Sequence, residues 1–136
     1  MNRNLTQNLL LLINILLPLL SGFYIYLFFS DNIYLFRFLQ DFFCISTVNF
    51  KSVFLLFMRN YMCDAFWAYS LFFSLKIFTD NSFNIVAICI SMGIFFEILQ
   101  NVDLIPGTFD VLDIIFELIA VFTALSVNKY FLKKGE

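Results

Sequence analysis

From Asn4 to Ser30 the chain carries no charged side chain. A helix needs about 20 mostly apolar residues to cross the hydrocarbon of a bilayer. The stretch NLLLLINILLPLLSGFYIYLFF, residues 8–29, meets that requirement, with Pro18 as a kink of the kind membrane helices tolerate. A cleaved signal peptide is the competing reading. The apolar run is too long for one and no A-x-A-like site follows, so a retained anchor is expected. Composition agrees. The chain is 62% hydrophobic and 13% charged, against about 25% charged for an ordinary soluble domain, and its mean hydropathy is +0.90. These values predict a single all-α integral membrane domain over residues 1–136. A net charge of −2 without a basic stripe excludes nucleic acid as a partner and leaves membrane lipids as the surroundings.

Histidine is absent, which removes Ser-His-Asp and Cys-His catalysis and any His-ligated metal. Cys44, Cys63 and Cys89 are odd in number and show no CxxC spacing, so they read as small buried hydrophobes. A Cys44–Cys63 disulfide is an alternative that sequence does not decide.

Three further spans are expected at about 61–79, 82–100 and 111–130, giving four transmembrane helices. Each reaches spanning length only by including acids: Asp64, then Glu97, then Asp113 with Glu117. TDNS at 79–82 suits a hairpin link, and Pro106-Gly107 signals a turn in the next one. Cytoplasmic flanks are rich in Lys and Arg. Arg3, Lys76, Lys129, Lys133 and Lys134 therefore place both termini inside, while Arg37, Lys51 and Arg59 fall outside against the trend. Residues 31–59 are aromatic yet interrupted by charge. Arg37, Gln40 and Asp41 share one helical face, which predicts an amphipathic interfacial segment between the first and second spans. A re-entrant pair is the alternative. The 21 Phe are spread along the whole chain and read as lipid-facing or core side chains.

Alternating spans gather the acids into one outer layer. At 100° per residue, Asn60, Asp64 and Trp67 fall within an arc of about 60°, and so do Asp110, Asp113 and Glu117. Glu97 and Gln100 are i, i+3 neighbours. A central Asp facing lipid costs about 2.5–3.5 kcal/mol on the insertion scale. Turning the three stripes inward around a shared pocket avoids that cost, with Glu117 as its floor and Arg59 as the nearest cation. The bland alternatives are specific. Asp110 suits an N-cap, acids in a first turn favour the helix dipole, and Trp67 suits an interface anchor.

RNYMCDAFWAYSL at 59–71, EILQ at 97–100 and GTFDVLD at 107–113 together resemble the VanZ-like family of small bacterial membrane proteins. The matching positions are Asp64, Trp67, Ala68, Tyr69, Glu97, Gln100, Asp110 and Asp113. Members often carry an Arg in the loop before the aspartates, where this chain has NVDLIPGTF, and an Asn where it has Glu117. The resemblance implies a bacterial cytoplasmic membrane protein with an envelope role, in a family associated with low-level resistance to teicoplanin.

Three functions compete at this stage. The first is a pocket of Asn60, Asp64, Trp67, Tyr69, Glu97, Gln100, Asp110, Asp113 and Glu117 that binds an envelope lipid, a drug such as a glycopeptide, or a cationic group. No cofactor is needed for it. The second is an enzyme acting on a lipid-linked substrate, with Glu97 and Asp113 as acid and base. A divalent cation held by Asp110, Asp113, Glu97 and Gln100 is its variant. The third is a small immunity-type protein that packs against a membrane protein partner.

Overall fold

The computed structural model describes residues 5–29, 34–43, 53–105 and 108–132, and every regular element among them is helical. The order is α1 (Leu5–Phe29), α2 (Tyr34–Phe43), α3 (Val53–Phe57), a π-helical turn (Met58–Met62), α4 (Cys63–Phe78), α5 (Ser82–Asn101) and α6 (Val111–Val127). A second π-helical turn, Asn128–Leu132, continues α6.

Three helices are long and apolar enough to cross a membrane: Leu5–Phe28, Ser82–Asn101 and Val111–Tyr130. Several of their uncharged polar side chains bond to their own backbone. Asn14 Nδ2 donates to the Leu10 carbonyl at 2.7 Å, Ser21 Oγ to Leu17 at 2.9 Å, and Thr123 Oγ1 to Ile119 at 2.7 Å. Each bond runs four residues back along the helix.

Of the expected interfacial segment, 31–59, the described residues are 34–43 and 53–59. Tyr34–Phe43 forms a separate helix, whereas residues 53–59 run without a break into α4. VFLLFM contains neither Gly nor Pro, so nothing halts the helix before the polar residues begin. Gln40 is buried and its Nε2 donates to the Leu27 carbonyl at 2.6 Å, tying α2 back to the end of α1. Phe38, Phe42 and Phe43 are exposed on α2 and pack on one another, Phe38 with Phe42 and Phe42 with Phe43.

Two links fix the remaining helices. Thr79 ends α4 in extended backbone, and the Asn81 side chain accepts from the N–H groups of Phe83 and Asn84 to start α5. This is the hairpin expected at TDNS. At the other end of α5, Asp103 sits at φ 56°. Its N–H bonds the Gln100 carbonyl, and the Leu104 N–H bonds that of Leu99. The pattern is a Schellman stop, and Asp enters the left-handed region more readily than most side chains. Pro106 and Gly107 lie outside the described residues.

Helix α4 is the axis of the fold and packs against α1, α5 and α6. Its Ala65, Ala68, Phe72 and Phe73 are buried together with Leu11 and Ile15 of α1, Ile85 and Cys89 of α5, and Ala120, Val121 and Ala124 of α6. The alanines let the helix backbones approach closely, which is how membrane helices gain packing energy. Around this core the outer faces remain apolar. Leu9, Leu16, Leu20, Ile88, Phe95, Ile115 and Phe122 are all exposed, as a hydrocarbon solvent requires. Cys63 and Cys89 are buried free thiols, and Cys63 Sγ lies 3.8 Å from the Gly22 carbonyl. Cys44 falls outside the described residues.

Candidate functional site

Five acids from three helices meet near the start of α4, the end of α5 and the start of α6. Asp64, Glu97, Asp113 and Glu117 lie within electrostatic reach of one another, and Asp110 joins through Asp113. These acids have different duties.

Asp110 is the N-cap of α6, as its position before VLDIIFE suggested. Its Oδ1 accepts from the Leu112 N–H at 2.9 Å, and its Oδ2 accepts from the Tyr61 hydroxyl at 3.2 Å. Glu97 is 5% exposed, and its Oε2 accepts from the Asp110 backbone N–H at 3.0 Å. A carboxylate at the end of α5 thus holds an N–H just ahead of α6. This supplies the reason missing from the sequence for an acid at a helix C-terminus. Asp103, on the loop, serves the Schellman stop of α5.

Asp113 and Glu117 have no such duty. Neither forms a hydrogen bond or an ion pair among the described residues, and Asp113 Oδ1 is buried without a partner. Gln100 Oε1 is in the same condition. Glu117 lies against the backbone of Gly93 on α5, where an added Cβ would overlap its carboxylate. Glycine at this position is what gives the acid its space. Asp64, half-buried on α4, completes the group and feels Glu97 most directly among its neighbours.

The other expected members divide. Trp67 is half-buried and meets Phe96 edge-on, with centroids 5.6 Å apart. Asn60 is exposed and accepts from Arg59 Nε at 3.1 Å, so the Arg59 side chain bonds its neighbour and pairs with none of the acids. Tyr69 faces α1, where its hydroxyl donates to Asn14 Oδ1 at 2.6 Å, and it stands apart from the carboxylates. Among the described residues no three His, Cys, Asp or Glu side chains come together as a metal-holding group.

Sequence reasoning missed three residues. Tyr61 reaches Asp110 from the π-helical turn, its ring packed against Phe57 and Phe116. Tyr26 of α1 lies within electrostatic reach of Asp64, Asp113 and Arg59, which brings a fourth helix to the site. Gly93 is the third. Its place four residues before Glu97 was the available signal, since a glycine inside a helix usually admits something close.

No family model matches the chain, and no curated protein or solved structure matches it. The VanZ-like resemblance rests on the order and spacing of its motif residues.

Proposed function

We propose that the chain is a four-span membrane protein of VanZ-like character whose carboxylate pocket receives a cationic group at the outer membrane face. Its biological effect would be protection against wall-active antibiotics. One observation carries this reading. Asp113 and Glu117 lie within electrostatic reach of each other and of Asp64 and Glu97, Asp113 Oδ1 and Gln100 Oε1 are buried acceptors without a hydrogen-bond partner, and no cation of the described residues answers the acids. Acids that only built helix ends would be bonded there, as Glu97 and Asp110 are. An ammonium or guanidinium group supplies both the charge and the donors that this cluster lacks.

The fourth span is assigned to α3, the π-helical turn and α4 together. Residues 53–78 are continuously helical, roughly 40 Å at 1.5 Å per residue. The α2 helix, with its exposed phenylalanines, is assigned to the outer interface, and both termini to the cytoplasm.

The test compares growth inhibition by teicoplanin and other wall-active drugs. Strains would carry wild type, Asp113→Asn, Glu117→Gln or no copy, at matched membrane levels. Protection by wild type that both variants lose is the expected result. Protection that survives both substitutions would overturn the pocket as the functional site.

A further inference from the structure

An apolar recess lies away from the acids. It is a groove of about 510 Å³ between α1, α4 and α6, within the 300–1,000 Å³ usual for small-molecule sites. Leu17, Phe66, Phe116 and Ile119 give it apolar walls. It occupies the face of α4 carrying Ala65, Phe66 and Tyr69, turned about 150° from Asp64 at 100° per residue.

Its lining contains one cluster of polar groups, and their hydrogen bonds can be followed atom by atom. Tyr69 gives its hydroxyl hydrogen to Asn14 Oδ1, and Asn14 Nδ2 gives one hydrogen to the Leu10 carbonyl. That leaves acceptor capacity on Tyr69 Oη and a second hydrogen on Asn14 Nδ2. Pro18 stands one turn after Asn14 on the same wall. Proline has no N–H, so the Asn14 carbonyl loses its α-helical donor. A backbone carbonyl and an amide hydrogen of α1 and a phenol oxygen of α4 therefore belong to residues lining the same apolar groove. Within hydrocarbon, groups left in this state call for a partner.

We infer that the groove between α1, α4 and α6 binds an apolar alcohol from the hydrocarbon region of the membrane, its hydroxyl held by Asn14 and Tyr69. A hydroxyl fits because it both donates and accepts. It gives its hydrogen to Tyr69 Oη or the Asn14 carbonyl and takes one from Asn14 Nδ2. A plain acyl chain fills the apolar walls and leaves these groups as they are. An ether accepts but does not donate.

The test uses the full chain in lipid nanodiscs with two photoreactive probes, a long-chain alcohol bearing a diazirine and its methyl ether. The alcohol should label α1, α4 and α6 peptides roughly five- to tenfold more than the ether, the worth of one to two hydrogen bonds. Tyr69→Phe should bring alcohol labelling toward the level of the ether. Thr123→Trp, which fills the groove from an exposed lining position, should remove labelling by both. Equal labelling of wild type by the two probes would overturn the alcohol site. Labelling unchanged by Thr123→Trp would overturn the groove as its location.

Discussion

Among the acids of the pocket, the side chains that build helix ends are separable from those that stand free. Replacing Asp110 by Ala removes an N-cap, with an expected loss of about 1 kcal/mol. Glu97→Leu leaves the Asp110 N–H without its acceptor and should cost about 1–3 kcal/mol. Asp113→Asn and Glu117→Gln should instead leave the thermal midpoint in detergent unchanged or raise it, because each removes a like charge and breaks no bond. Thermal unfolding of the four purified variants reads the difference; a large loss in either of the last pair would assign it a bonding role. Gly93→Ala should destabilise by about 1–3 kcal/mol through overlap with the Glu117 carboxylate. Adding Glu117→Ala should restore part of that loss, and strict additivity in the cycle would refute the contact. Much of this scale was legible beforehand. The spacing of Asp64, Glu97 and Asp113 placed them together because helical period and alternation determine depth and face. Tyr69 shares a tripeptide with Trp67 but projects elsewhere, two residues being about 200° of helix. The Glu97–Asp110 bond depends on the path of the loop, which no periodicity encodes.

Among the elements, helix ends were harder to read than helices. Charge at Arg59 marked the expected start of a span, yet the helix already includes Val53, because helix formation follows backbone propensity and charge does not interrupt it. The hairpin at 79–81 was readable because Asn81 is a strong N-cap. Helix α2 carries the clearest element-scale prediction. Gln40→Leu removes the bond to the Leu27 carbonyl, and amide exchange in Tyr34–Phe43 should quicken while that of α4–α6 holds. Exchange unchanged in α2 would show that this bond does not hold the helix in place.

At the scale of the molecule, the excess of apolar over charged residues announced a membrane class before any helix was drawn. The partner of each helix was another matter, since apolar faces point both to lipid and to neighbours. Topology is open to a direct check. Thr108→Cys should react with an impermeant thiol reagent applied from outside the cell, and Asp80→Cys should react only after the membrane is opened. The reverse pattern would invert the proposed orientation.

The central place of α4 has a consequence for how the chain can be divided. Divided at the turn 79–81, the chain falls into one unit with α1 and α4 and another with α5 and α6, and the two pack together mainly through α4 and α6. The two units are joined covalently by the short turn at 79–81. Cutting the gene there would give two polypeptides, one with α1 and α4 and one with α5 and α6, each holding one side of the α4 seam. Expressed together, the halves should find each other in the bilayer and co-purify, because the information for assembly resides in the seam and not in the peptide bond across it.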